Sequence, residues 1–366
     1  MKAIRETLQR LEHEGNDRHI PCESPCQVDF SENDYLGIAA DVELRRDFLN
    51  SLTAETFLPS SSASRLLASR QNAYRSLEAY LSELYGKPAL LFNSGYHANT
   101  GMVGALGGKQ TLFVADKLVH ASIIDGLTLS GSTFMRFRHN DYAHLERLIS
   151  KYGADYERVV IIAESVYSMD GDSADIAALV RAKRLHANTL LYIDEAHAVG
   201  VCGDRGLGLA QNHAGEVDIT VGTFGKALGS EGAFAILGNS LRSYMINRCR
   251  SLIFSTAIAP VTVSWSEYVL RRVVEMDDRR SRLAELGLLL GEALKSGSKS
   301  HIQPYIIGDA HQVMELSHNL LRDGIKVLPI RTPTVPPNTE RLRFSLSATM
   351  SAEAIEFLRQ TMRKYE

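Results

Sequence analysis

Cysteine is scarce in this chain: four residues in 366, and only Cys22 and Cys26 lie close together, with no further ligand nearby to complete a tetrahedral metal site. A disulfide framework and a zinc ribbon are excluded, and a reducing compartment is the simplest reading. No apolar run reaches the ~20 residues that a membrane-spanning helix needs. The opening segment, MKAIRETLQRLEHE, sets Ile4, Leu8 and Leu11 on one helical face among charges and so lacks the apolar centre of a signal peptide. A soluble, cytoplasmic protein is expected. Charge of one sign is lacking too: 40 basic residues face 43 acidic ones, the formal net charge is -3, and no block of like charge is long enough for a nucleic-acid footprint.

What is present is bulk and pattern. At 45% hydrophobic, a 366-residue chain buries roughly 75% of the surface that its unfolded form exposes, enough for one large core and a smaller satellite. From residue 89, short apolar runs alternate with helical stretches: ALLF, TLFV, TFMRF, VVIIA, LLYI, DITV and AFAIL. Intervening segments such as DYAHLERLISKY and SADIAALVRAKRLH have the spacing of helices packed on a sheet, which predicts an open, mostly parallel α/β sheet. One or two long helices follow from Ser264 to about Gly297. Beyond them IQPYII, KVLPI and RLRFSL alternate with helical segments, the last opened by Ser351 with Glu353 behind it, as in a small α+β domain. In such sheets ligands gather at the C-terminal strand ends.

Those ends carry the polar residues. Asp194 and His197 follow LLYI directly, in LLYIDEAHAVG. An acid there is able to pin a protonated heteroaromatic nitrogen, and His197 to donate to an oxygen on the same ring. The bland alternative is a loop-capping acid and a histidine satisfied by backbone. The letters DEAH also occur in helicase-type ATPases, but the phosphate loop G-x-x-x-x-G-K-[ST] is missing; Gly225-Lys226 is followed by Ala227. Lys226 follows the run DITV in VGTFGKALGSEGA, where small neighbours let a flat ligand approach the backbone. Lysine forms an imine with an aldehyde cofactor, although a solvent-facing lysine fits the same letters. Thr223 offers a hydroxyl to a phosphate or to an ordinary turn. Ser94, Gly95 and Tyr96 stand between a strand and a helix, where backbone N–H groups make an anion site or merely a turn. His120 and Ser168 lie in further loops after strands and read equally as a ring-facing histidine and a polar loop hydroxyl or as structural residues. Gly203, Gly206 and Gly208 do not have the order of a dinucleotide fingerprint.

Taken together the chain resembles the α-oxoamine synthases, acyltransferases of pyridoxal phosphate (PLP) fold type I. The shared pieces are FSENDYLG, FNSGYHAN, HASI, ESVYSMDGD, DEAHAVGVCGDRGLG, TFGKALG, IFSTAIAP and PTVPPNTERLRFSLSA, in family order across nearly the whole chain. The resemblance implies a large, mostly parallel seven-stranded sheet domain with a smaller α+β C-terminal domain. The boundaries expected are an N-terminal helix and substrate-contacting arm at 1–40, the PLP-binding domain at 41–260, connecting helices at 261–297 and the small domain at 298–366.

By the same match, Lys226 holds the cofactor's aldehyde as an imine and Asp194 binds its ring nitrogen. His197 bonds the phenolic oxygen and His120 stacks on the ring. Ser94, Gly95, Tyr96, Ser168 and Thr223 belong to the cofactor's surroundings, with Thr256 reaching the phosphate from a second subunit of a homodimer with composite sites. Arg331 and Asn33 match substrate-contacting residues, the arginine binding the amino-acid carboxylate, and Arg18 matches an arginine near the product carboxylate. The reaction implied is the decarboxylating condensation of a small amino acid with an acyl thioester carried on coenzyme A or acyl carrier protein. TFGKALGSEGA, IFSTAIAP and RTPTVPPNTERLRFSLSA look most like the branch that joins alanine to a pimeloyl thioester; glycine acyltransfer is the alternative. One stretch departs from the family: SSSASRLLASRQNAYRSLE has Ser60, Ala63 and Ser69 where glycines are usual and Tyr74 where a histidine is usual.

Overall fold

A computed structural model describes residues 1–20 and 25–365; Cys22 lies outside them. Cys26, Cys202 and Cys249 are free thiols. Twelve strands occur among the described residues: β1 (Val28–Asp29), β2 (Ala89–Phe92), β3 (Thr111–Asp116), β4 (Thr133–Phe137), β5 (Arg158–Glu164), β6 (Thr189–Asp194), β7 (Ile219–Thr223), β8 (Ala233–Leu237), β9 (Ile302–Ile306), β10 (Ile325–Lys326), β11 (Leu328–Ile330) and β12 (Arg341–Ser345). Two compact units result. The large one comprises Leu36–Tyr167 and Asp172–Asp277, the small one Met1–Tyr35, Ser168–Gly171 and Asp278–Glu366. Among the described residues no helix is long and apolar enough to cross a membrane.

The large unit is built on a seven-stranded sheet of order β2-β8-β7-β6-β5-β3-β4, the mostly parallel sheet of the fold type I reading. Only β8 runs against its neighbours, β2 and β7. Its central strands read as unbroken apolar runs because both faces are covered. On one face Phe113, Ala115, Val160, Ile162, Tyr192 and Val221 pack with Ala98, Met102 and Val103 of helix Gly95–Leu106. On the other, Val114, Ile161, Ala163, Leu191 and Ile193 pack with Leu145 and Ile149 of helix Tyr142–Tyr152 and Leu179 of helix Ile176–Lys183. Alternate residues of each strand thus feed opposite cores.

The small unit holds the antiparallel sheet β11-β12-β9 and the parallel pair β1-β10. Asp309 caps helix Ala310–Arg322 by accepting from the Gln312 N–H at 2.9 Å, and Ser351 caps helix Ala352–Met362 with Glu353 in its first turn.

Within the large unit one side chain ties two strand-end loops. His139 Nδ1 lies 3.0 Å from Asp116 Oδ1, and its Nε2 lies 2.8 Å from Asp172 Oδ2. Asn140, in the left-handed region at φ 51, adds its N–H to Asp116 and its side-chain amide to Asp172. Desolvation opposes the charged imidazole, but the two carboxylates outweigh it and push its pKa up to about 10. A folded-state pKa above the unfolded value of ~6.5 gives stability that is complete below that value and disappears as the pH rises through about 10. Replacing His139 by Leu is expected to cost about 2–3 kcal/mol at pH 6, measured by urea denaturation, with the gap to the parent narrowing steadily toward pH 10. A gap that is unchanged across that range would show that the imidazolium contributes nothing.

Candidate active site

Within the large unit, Ser94, His120, Asp194, His197 and Lys226 all lie at or beyond the ends of sheet strands: β2, β3, β6 and β7. Asp194 is the last residue of β6 and sits in register with Glu164, the last of β5. Both are buried, at 4% and 2% exposure. Asp194 Oδ2 accepts from Asn99 Nδ2 at 2.7 Å, and Oδ1 accepts from the Ala196 N–H at 2.8 Å. Glu164 Oε1 accepts from the His120 N–H at 2.5 Å. Burial first, and then the neighbouring Asp194, push the Glu164 carboxyl well above the usual carboxylate range, against the smaller pull of Lys226.

Lys226 lies three residues beyond β7, and its Nζ is 2.8 Å from His197 Nε2. The TFGKALGS turn is held by Gly229 N–H to Lys226 O and Ser230 N–H to Phe224 O, both 2.9 Å. Phe224, Ala227 and Leu228 are buried, anchoring the turn while Lys226 stays half-exposed. Gly229 has φ +51, and a Cβ there would meet Ala39 N at 2.6 Å, so no larger residue fits without displacing backbone. The glycines around Lys226 thus serve close backbone packing as well as access.

The DEAH letters find a structural use. Glu195 is fully buried and accepts from Ser165 Oγ at 2.5 Å, Ala210 N–H at 2.5 Å and Leu209 N–H at 3.2 Å, stapling the loop that follows β6. Burial pushes its carboxyl up to about 7, although those donors favour the ionised form. Gly208, at φ +94, lets the backbone pass this carboxyl where a Cβ would lie 2.7 Å from it. Glu195 is therefore spent on its own loop, which removes the acid that an ATPase of the DEAH type needs.

Helix Gly95–Leu106 starts at the end of β2 with Ser94 as its cap, accepting from the His97 N–H at 3.2 Å. The N–H groups of Gly95 and Tyr96 make no hydrogen bond among the described residues, so the positive end of the helix presents two donors. A Cβ built on Gly95 would lie 4.0 Å from Thr223 Cβ. Thr223 Oγ1 donates to Gly232 O at 3.0 Å and accepts from the Gly225 N–H at 3.2 Å. Tyr96 is half-exposed and gives its hydroxyl to Asp125.

Thr256 is exposed, with its carbonyl taken by Asn93 Nδ2 at 2.5 Å. Its segment is anchored by the stretch that departs from the family: the Ala257 N–H donates to Ala63 O at 3.0 Å, Ser61 Oγ to Ile258 O at 2.7 Å, and the buried Tyr74 hydroxyl to the same carbonyl. Arg65 lies over the Tyr74 ring, 4.4 Å from its centroid. Tyr74 thus has a defined structural job where the family has histidine.

The remaining candidates belong to the small unit. Arg331 donates to the backbone carbonyls of Gly15 and Asp17, and Arg18 Nη2 donates to Thr334 Oγ1 at 2.9 Å. Asn33 does not meet Arg331; its Oδ1 accepts from Arg343 Nη2 at 3.1 Å. Arg343, 2% exposed, also donates to the Ser168 carbonyl at 2.5 Å and to Ser345 Oγ at 2.7 Å. Sequence reasoning quoted Arg343 within RLRFSLSA without singling it out, and it missed Asn99, Ser122 and Glu164. Their signal was available only as membership of FNSGYHAN, HASI and ESVYSMDGD, because nothing local says which polar residue of a motif turns inward.

An amine beside an imidazole, a buried strand-end carboxylate and a helix start with two available N–H donors form a set that suits an aldehyde-bearing heteroaromatic phosphate, and PLP fits it. Residues 26–361 match the family described as Aminotransferase class I and II. The chain is 45% identical to a putative 8-amino-7-oxononanoate synthase from Pasteurella multocida, over 95% of this chain and 92% of that one. It is 43% identical to the 8-amino-7-oxononanoate synthase of Haemophilus ducreyi, over 95% and 94%. Among solved structures, serine palmitoyltransferase from Sphingomonas wittichii superposes with a TM-score of 0.90 at 27% identity, covering 99% of this chain and 96% of that one. The 8-amino-7-oxononanoate synthase from Francisella tularensis does so with a TM-score of 0.76 at 25% identity, covering 92% and 98%.

Two outcomes follow for the large unit. Borohydride reduction of the PLP-loaded protein and peptide mapping should place the pyridoxyl group on Lys226; a label on another lysine would overturn the assignment. Asp194→Asn should slow Cα proton exchange of alanine at least tenfold, about 1.4 kcal/mol, without a comparable loss of thermal stability. Equal exchange in the variant would remove Asp194 from the chemistry.

Proposed function

From the premise that the chain belongs to the Aminotransferase class I and II family, and within it to PLP-dependent acyltransferases like its 8-amino-7-oxononanoate synthase relatives, we propose that it joins L-alanine to a pimeloyl thioester. The products are 8-amino-7-oxononanoate, CO2 and free thiol, a step of biotin synthesis. The observation that carries the reading is Lys226 at the turn after β7, in contact with His197 of the loop after β6, whose strand ends at buried Asp194.

Bound PLP supplies an electron sink for negative charge at the substrate's Cα. The chain's residues do the rest. Lys226 presents the amine that binds the cofactor and that then takes and returns the Cα proton. Asp194 would hold a proton on the ring nitrogen. His197 would bond the phenolic oxygen, His120 would face the ring, and the Gly95 and Tyr96 N–H groups with Thr223 would hold the phosphate. Cα then attacks the thioester carbonyl, the thiolate leaves, the carboxylate departs as CO2, and a proton returns to Cα. Thr256, exposed on one chain, completes the phosphate site of a second copy in a homodimer, and the enzyme works in the cytoplasm.

The family match gives the substrate carboxylate to Arg331, whereas the contact of Asn33 with Arg343 favours Arg343, whose planar fork suits two-point binding of a carboxylate. Arg343→Lys is therefore expected to raise KM for alanine more than tenfold and Arg331→Lys much less. The reverse order would return the role to Arg331.

On the acyl side, alanine with pimeloyl thioester should exceed glycine with acetyl or succinyl thioester at least tenfold in kcat/KM, about 1.4 kcal/mol. Product identified by mass decides, because thiol release alone also reports thioester hydrolysis. Equal or reversed values would move the chain to the glycine-using branch.

A further inference from the structure

Behind His120 runs a chain of buried hydrogen bonds whose directions are fixed by what each group is able to donate. Tyr192 hydroxyl lies 2.7 Å from Asn99 Oδ1, and Asn99 Nδ2 lies 2.7 Å from Asp194 Oδ2 and 3.0 Å from Ser122 Oγ. The carboxylate accepts and does not donate, so the amide nitrogen of Asn99 must face it and the amide oxygen must face Tyr192. The same nitrogen then donates to Ser122 Oγ. Ser122 is fully buried, and among the described residues its hydroxyl has one other hydrogen-bond partner, His120 Nδ1 at 2.8 Å. An unmatched buried hydroxyl hydrogen costs about 1–3 kcal/mol, so Ser122 donates to Nδ1. The Ser122 backbone N–H points at the same nitrogen, at 3.2 Å.

We infer that Ser122 and Asn99 are positioning residues that hold His120 as the neutral imidazole with its proton on Nε2, linking its protonation state to Asp194 through the relay Asn99–Ser122, with Tyr192 fixing the orientation of the Asn99 amide. A proton on Nδ1 would face two donors at once and strand the Ser122 hydroxyl. The charged groups facing the imidazole agree in sum: desolvation lowers its pKa most, Lys226 lowers it further, and Asp194 and Asp125 pull the other way without restoring the ordinary value. Glu164 holds the backbone N–H of the same residue. The chemical consequence is specific. His120 offers an N–H donor at Nε2 and no positive charge, so it would not repel a ring whose nitrogen is protonated beside Asp194, and with Nδ1 taken by Ser122 it does not compete with Lys226 as the base. The inference concerns the relay alone and stands apart from the choice of substrate.

Nitrogen-15 NMR of histidine-labelled, PLP-loaded protein tests it, with the His120 signals assigned by their loss in His120→Asn. In the parent, Nδ1 should resonate as an unprotonated nitrogen and Nε2 as a protonated one at neutral pH. Ser122→Ala should raise the titration midpoint of His120 by about one pH unit, equivalent to 1.4 kcal/mol, and Ser122→Thr should restore the parent behaviour. A proton on Nδ1 or a cationic ring in the parent at neutral pH would overturn the inference, as would an unchanged midpoint in Ser122→Ala. Should Ser122→Ala fail to fold, Ser122→Cys supplies the same reading without adding charge: its thiol is a weaker donor to Nδ1, so the midpoint must rise, and an unchanged midpoint overturns the inference.

Discussion

A carboxylate at the end of a buried strand is the constraint around which the large unit is arranged. Asp194 has lost its water, and leaving such a group without donors would cost several kcal/mol. The unit answers with the Asn99 amide from one side and the Ala196 N–H from the chain itself. The same burial acts on Glu164 in register beside it, and the neighbouring Asp194 adds to it. The pressure falls on Glu164, whose carboxyl rises well above its ordinary range. One strand end thus takes the Asn99 and Ala196 donors while its neighbour holds the backbone of His120.

That division explains the local sequence better than a catalogue of conserved-looking letters. Glu195, the first residue after β6, is consumed by Ser165, Leu209 and Ala210. Adjacent acids therefore have unrelated partners: Asp194 takes the Asn99 amide, and Glu195 closes a loop. Gly208 and Gly229 follow from the same economy of space, since each lets backbone pass where a Cβ would collide with a carboxyl or with the chain.

The architecture of the large unit was legible in the sequence because strands buried on both faces must be apolar throughout, and VVIIA, LLYI and AFAIL have no other explanation in a chain without membrane-length runs. Lys226, Asp194 and His197 were legible because polar residues at the ends of such runs stand out. What stayed hidden were the residues that depend on side-chain direction inside a loop or helix. Asn99 looks like any helical polar residue until its turn is seen to face Asp194, and Ser122 looks like a helix-start hydroxyl until its neighbour is seen to be His120 Nδ1. Arg343 was hidden for another reason: an arginine in the middle of a strand pattern reads as a solvent-facing residue, and only the structure shows it buried on Asn33 and the Ser168 carbonyl.

The serine-rich stretch that departs from the family bears on this division of labour. Replacing glycine by serine or alanine restricts the backbone, and Ser62 still adopts φ 51, a conformation that favours glycine. Around it the segment is held by side chains: Ser61 and Tyr74, the residue that stands for the family's histidine, both reach Ile258 O, and Arg65 closes over the Tyr74 ring while pairing with buried Glu78 at 3.1 Å. Glu78 in turn accepts from the Leu91 N–H of β2, the strand that leads to Ser94 and Gly95. The departure is therefore not a loosening of the fold near helix Gly95–Leu106. The Tyr74 hydroxyl and the Arg65–Glu78 pair tie the segment to the Thr256 stretch and to β2, so the strand that leads to Ser94 and Gly95 keeps its support although the letters have changed.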